Sequence, residues 1–299
     1  MTAALALALA FILPGCSDRL EPSRTGDSPI TIEAALSGTK ATLINNTEGL
    51  GDFRCSAYRQ DGTAVFENKT VSKTDGSRWV INGDRRYWWK SGETLSFYAV
   101  HPQDQAGVSI SSGGISLSSY SVPSTISEQK DILLGSYSGT GNEGVAPIRF
   151  VHALTALILT EGEQLESSIP GFTAVTSITL GGLYSGGSVT NWTGGTAVAW
   201  TGTGSKSFTP AFGDVLTLVP QDLATQSVTV TVAYSAASGD GTISATISSG
   251  VFAAGKVNNI KVNYNSVEVI YDSSSITVPA YGSGSSYEGD STDTDTPWS

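Results

Sequence analysis

Two cysteines and two histidines are the whole supply of thiol and imidazole ligands in 299 residues, and their placing limits the chemistry open to the chain. His101 stands before a proline at the end of an apolar stretch, and His152 lies inside "IRFVHALTALIL" (148–159). Neither has a second histidine or a cysteine at the short spacing of a zinc-type site, so no metal and no other cofactor is expected, and His152 reads as a core histidine. The stretch "GTGSKS" (202–207) looks like a phosphate loop in which Ser205 has replaced the glycine before the lysine. Such a loop must open a helix, whereas the flanks here read as strands, so a hairpin turn is expected. Paired carboxylates of a glycosidase sit roughly 5 to 9 Å apart, and no spacing in the chain singles out such a pair. No enzymatic activity is expected.

The aromatic cluster "RRYWWKSGE" is a stronger candidate for binding. Tyr87, Trp88 and Trp89 stand between charges, as a sugar-stacking platform would, and the alternative is packing in a core or between domains. Neighbours on a strand face opposite ways, so Trp88 and Trp89 cannot both enter one core.

Cys16 offers attachment. Ala3 to Leu13 is an unbroken apolar run, too short for a bilayer that takes about 20 residues but suited to the apolar region of a signal peptide. The "LPGC" that follows resembles a bacterial lipobox, whose cysteine is acylated and becomes the mature N-terminus; Pro14 stands where a small or β-branched residue is usual. The alternative is a plain secretory signal with an incidental cysteine. Lipid on Cys16 would leave Cys55 without a disulfide partner, and in "DFRCSAYR" Cys55 alternates with Phe53 and Ala57 as a small apolar strand residue.

The formal charge is −11, and six of those negative charges fall after Ser266, on Glu268, Asp272, Glu288, Asp290, Asp293 and Asp295, with no lysine or arginine among them. A body with no basic stripe is a poor match for nucleic acid, whose phosphates must be neutralised. Length favours two domains.

The elements that must position these residues are strands. "SVTVTVAY" places Val228, Val230, Val232 and Tyr234 on one face, and "TISATI", "NIKVNY", "TLSFYAV" and "DVLTLVP" repeat the pattern. Glycine- and serine-rich turns separate them, and no stretch of twelve residues keeps a helical period. An all-β sandwich is expected. The run 148–159 is apolar on both faces, as a central strand or a short helix would be, and Pro147 with the loop before it places a domain boundary near residue 145. "PITIEAALSG" reads as the first strand, with Ile30, Ile32 and Ala34 inward. After "NNIKVNYN" the tail continues as two alternating segments, Val267, Val269 and Tyr271 and then Ile276, Val278 and Ala280, before an acidic, solvated end.

Trp79, "YWWKSGETLSFYAVHP" (87–102), "DILLG" (131), "IRFVHALTALI" (148), "LVPQDL" (218) and "AGKVNNIKVNYN" (254) occur in that order. Together they resemble the fimbrillin-like family of Bacteroidales-type bacteria, subunits of type V pili, over about residues 28 to 265. The resemblance implies two transthyretin-like Greek-key β-sandwich domains with a C-terminal extension. The expected divisions are a lipoprotein signal peptide (1–15), a linker (16–27), sandwiches over 28–144 and 145–265, and a donor-strand and acidic tail (266–299). It further implies export to the outer membrane through a lipid anchor, with other fimbrillin-like subunits as partners and host or bacterial surface ligands for adhesion.

In the family a trypsin-like protease removes the first strand after a Thr-Arg step, and a strand of the next subunit fills the groove. Thr39-Lys40 stands at that point here, with Arg24 as the upstream alternative. The tail strands of Val267, Val269, Tyr271, Ile276 and Val278 are the candidate donors, against a hairpin folded back on its own domain. A non-polymerising glycan-binding lipoprotein is the second functional reading. The triplets at Asn45, Asn68 and Asn191 are incidental as glycosylation sequons in a bacterial host.

If Cys16 is the acylated residue, Cys16→Ser yields protein that takes up no radiolabelled fatty acid and leaves the detergent phase on phase separation. Membrane partition equal to that of the wild type would refute the assignment.

Overall fold

Alternation written into the chain becomes sheet almost everywhere that the computed structural model describes, which is residues 27–36, 49–74, 78–83, 86–141, 144–162, 169–263 and 268–272. The strands run β1 (Ser28–Pro29), β2 (Thr31–Leu36), β3 (Phe53–Arg59), β4 (Ala64–Thr74), β5 (Arg78–Ile81), β6 (Trp88–Trp89), β7 (Thr94–His101), β8 (Val108–Ser111) and β9 (Gly114–Ser121). A 3-10 turn, Ile126–Glu128, follows. Next come β10 (Leu133–Thr140), β11 (Val145–His152), β12 (Thr155–Glu161), β13 (Phe172–Leu183), β14 (Gly186–Trp192), β15 (Thr201–Thr203) and β16 (Lys206–Phe208). The last are β17 (Val215–Leu218), β18 (Gln221–Asp222), β19 (Val228–Ala236), β20 (Gly241–Ile247), β21 (Val251–Phe252), β22 (Val257–Asn263) and β23 (Glu268–Asp272).

Seven strands close on themselves in the order β10-β11-β2-β5-β4-β3-β7. Three four-stranded sheets, β17-β12-β22-β23, β16-β13-β19-β20 and β15-β14-β9-β8, complete the body with the small pairs β1-β6 and β18-β21. The period-two rule holds closely in β19, where Val228, Val230 and Val232 are buried and Thr229 and Thr231 are half-buried. Its partner β20 follows through a tight turn, in register from Val228 opposite Ile247 to Tyr234 opposite Gly241.

The doubly apolar run resolves into two strands rather than one strand or a helix. β11 belongs to the closed ring, β12 to the β17-β12-β22-β23 sheet, and the chain changes sheet at Ala153–Leu154. The residues of the run are shared among three clusters, the third formed by Ala156 and Ile158 with Val257, and within the run Arg149 alone is exposed. Ile148 and Phe150 join Phe53, Phe97 and Trp89 inside the ring, while Val151, Leu157 and Leu159 join the larger cluster with Leu180, Leu216 and Ile260. Sheet membership therefore changes after His152 and not at residue 145. β8 and β9 also cross that expected division, because β9 pairs with β14.

Inside the ring Phe53 meets Phe150 edge-on and Trp79 at a tilt, both with ring centroids 5.0 Å apart, the offset geometry that aromatic quadrupoles favour. Gly135 faces this stack, and a Cβ there would lie 2.7 Å from the Phe150 ring. Phe150→Ala, at a fully buried position, is expected to cost about 3–5 kcal/mol, read as a lowered urea midpoint with unchanged slope.

Candidate functional site

The seat of the first strand combines backbone pairing, apolar burial and two close approaches. Ile30 and Ile32 are buried, Ala34 is half-buried, and Thr31 and Glu33 face solvent, as the spacing of "PITIEAAL" predicts. β2 runs parallel to β11 through six residue pairs, Thr31 opposite Val145 to Leu36 opposite Phe150. On its other side it meets β5 antiparallel at one registered pair, Ile32 opposite Trp79. Its start is fixed by Ile30 N donating to the Tyr87 carbonyl (2.9 Å) and Thr31 N donating to the Gly144 carbonyl (2.8 Å). Gly144 has φ +74°, and a Cβ there would lie 2.5 Å from the Pro29 carbonyl oxygen, so glycine admits the strand where another residue would obstruct it.

The aromatic cluster forms part of this seat. β6 pairs with β1, Ser28 opposite Trp89 and Pro29 opposite Trp88. Trp89 is 1% exposed and its indole N–H donates to the Glu93 carbonyl at 2.8 Å, so it offers no face to a sugar. Tyr87 packs on Phe66 at 4.8 Å and is half-buried, as is Trp88. Opposite facing on a strand explains the division between Trp88 and Trp89.

The tail divides likewise. β23, which carries Val269 and Tyr271, is hydrogen-bonded to β22 of its own sheet, Val262 opposite Val269 and Ile260 opposite Tyr271. The first half of the candidate donor is thus a hairpin strand, since consecutive segments pair locally. Val267, Ile276 and Val278 lie outside the described residues, as do Cys16, Arg24 and Lys40.

The remaining chemistry-bearing residues take structural places. Cys55 is a free, fully buried thiol whose pKa is driven upward by desolvation, which keeps it protonated and inert. Asn68 and Asn191 both adopt φ 48°, and each donates its backbone N–H to a serine hydroxyl across the sheet, Ser56 at 2.9 Å and Ser116 at 3.0 Å. Asparagine tolerates this conformation better than most residues, so these positions serve irregular strand pairing. "GTGSKS" joins β15 to β16, which belong to different sheets; it is a turn between sheets and not the expected hairpin. Among the described residues no group of three histidine, cysteine or acidic side chains could hold a metal.

One pair escaped the sequence reading. His152 Nδ1 lies 2.6 Å from Asp131 Oδ2, both side chains 6% exposed, and His152 Nε2 is buried without a partner. The pair ties the segment before β10 to the end of β11, where Ala153 N also donates to the Ile132 carbonyl at 2.7 Å. Asp131→Ala strands the imidazole and should lower stability by about 1–3 kcal/mol. Asp131→Asn, which keeps an acceptor oxygen, should lose less in the same denaturation series.

The sequence profile of the fimbrillin-like family matches residues 37–278. No curated protein matches the chain. Among solved structures, a Bacteroides ovatus protein assigned to cell adhesion superposes with TM-score 0.55 at 17% identity, over 82% of this chain and 96% of that one. A Bacteroides uniformis protein assigned to cell adhesion gives 0.54 at 15% identity over 82% and 96%. A fimbrial assembly protein of Parabacteroides distasonis gives 0.51 at 17% identity over 82% and 95%. At these identities the likeness is one of fold.

Proposed function

The chain belongs to the fimbrillin-like family, and we propose that it is a non-enzymatic subunit of a surface fimbria, exported as a lipoprotein through Cys16 and assembled by strand exchange at the outer membrane. The observation that carries this reading is the seat of β2. That strand alone joins β11 to β5 in the ring, and its loss would free two strand edges, each a template for another chain. Its hold is modest. Two buried side chains, Ile30 and Ile32, contribute about 1.5–3 kcal/mol each in apolar burial, a gain that an incoming strand of like pattern would restore.

The tail contains such a pattern. Ile276-Thr277-Val278-Pro279-Ala280 matches Ile30-Thr31-Ile32-Glu33-Ala34 in its inward residues, isoleucine, then a β-branched residue, then alanine. With Val269 and Tyr271 paired inside their own sheet, the donor narrows to the segment around Ile276 and Val278. Strand addition would take affinity from the backbone and specificity from these alternate side chains. The glycan-platform reading loses ground because Trp89 is buried, with its ring packed against Phe97 and Tyr137.

Cleavage after Lys40 would release β2, whereas cleavage after Arg24 would leave it seated. N-terminal sequencing of polymer extracted from the surface should give Ala41. In the same preparations the double variant Ile276→Asp/Val278→Asp should remain monomeric in SDS ladders with the wild-type melting temperature. Polymer that begins only at acylated Cys16, or ladders unchanged in the double variant, would overturn the proposal.

A further inference from the structure

A cleft of about 490 Å³ opens between the β7–β8 loop, β9 and the 3-10 turn, lined among others by Gln105, Ser119, Tyr120, Glu128 and Lys130. It lies within the size range of small-molecule sites. Its walls are fixed from behind. Ser118 donates both its backbone N–H (2.9 Å) and its hydroxyl (3.2 Å) to the Gly107 carbonyl, holding the loop to β9. β8 is held to β3 by Tyr58 Oη donating to the Ile110 carbonyl at 2.9 Å. The turn is held by buried Gln129, whose amide nitrogen donates to the Pro123 carbonyl (3.1 Å) and whose amide oxygen accepts from Thr217 N (2.6 Å). Tyr120 stands edge-on against Trp200 at 5.7 Å, and the Trp200 indole donates to the Ala153 carbonyl at 2.6 Å.

Against these fixed walls three of the groups that line the cleft are uncommitted, while the Gln105 amide nitrogen donates to the Ala106 carbonyl at 3.1 Å. Among the described residues the Glu128 carboxylate, the Lys130 ammonium and the Tyr120 hydroxyl make no hydrogen bond or ion pair. Burial, and then the nearby Asp131 carboxylate, push the Tyr120 hydroxyl up to about 12, so it remains a protonated donor near neutrality. A strand cannot dock here, because β9 is already paired on both edges, with β8 and β14. A phosphate is disfavoured, because Glu128 offsets Lys130 and Asp131 lies behind Tyr120. One half-buried aromatic ring beside a carboxylate, an ammonium, an amide and serine hydroxyls suits a ligand with an apolar ring face and a rim of hydroxyls.

We propose that this cleft binds a neutral saccharide, stacked on Tyr120, with Glu128 accepting from adjacent hydroxyls and Lys130 and the Tyr120 hydroxyl donating to its oxygens. The site gives a ligand class to the adhesive role of the proposed subunit and rests on that reading for its biology, but it does not require strand exchange.

The test is retention of the full chain, before any processing, on immobilised mannotriose, lactose, N-acetyllactosamine and chitotriose. Binding to at least one is expected, weakened about tenfold or more by Glu128→Gln and lost in Tyr120→Ala. Glu128 is exposed, so Glu128→Gln should melt as the wild type does, which separates lost contact from lost fold. Retention on none of the four probes, or wild-type affinity in Glu128→Gln, would overturn the proposal. SDS ladders of the Glu128→Gln variant should match the wild type, so failure of the saccharide site and failure of polymerisation remain distinguishable.

Discussion

Closure of the seven-stranded ring by one short strand is the constraint on which the rest of the architecture depends. A ring has no edges, so β5 and β11 are satisfied on both sides only while β2 is in place, and β3, β4, β7 and β10 make the rest of the circuit between them. The strand that supplies this closure is also among the least buried, since every second residue faces water and it shares only one registered pair with β5. What holds it is the parallel six-residue ladder to β11, the two backbone bonds at its start and the close approach at Gly144.

β11 carries this closure into the rest of the molecule. Its inward residues Ile148 and Phe150 form the floor under β2, and Val151 on its other face enters the larger cluster. The Asp131–His152 pair and the Ala153–Ile132 backbone bond fix the strand where it leaves the ring. Burying an imidazole with one nitrogen unpartnered carries a cost. The cost falls at the corner between two sheets, where a purely apolar contact would set no fixed register.

Alternation made the inward set of β2 and the faces of β19 legible from sequence, because the period of two fixes which side chains share a face. It does not say which strand lies alongside. For that reason 148–159 read as one element although it is two strands in two sheets, and "GTGSKS" read as a hairpin although β15 and β16 part company there. His152 was recognisable as buried, but Asp131 stands across a corner of the chain, beyond any ligand-spacing rule. Trp88 and Trp89 show the same division between face and neighbour: opposite facing was predictable, and the N-terminal strand that pairs with them was not. The cleft around Tyr120 carried no signal in the sequence, since its residues come from a loop, a strand and a turn joined only by sheet pairing and by Gln129.

The seat and the cleft draw on different parts of the framework. The seat is bounded by β5 and β11, with Trp79, Phe53 and Phe150 as its floor. The cleft hangs from β3 through Tyr58, from β14 through its pairing with β9, and from β17 through Thr217. Exchange of β2 for a strand of the same alternation would restore the ladder to β11 and leave β3, β14 and β17 where they are. Because packed interiors move between discrete arrangements and do not deform continuously, a like-for-like replacement in the ring leaves the cleft walls unaltered. On the proposed reading, a subunit built this way would change its neighbour at the seat while it presented the same cleft surface at the other site.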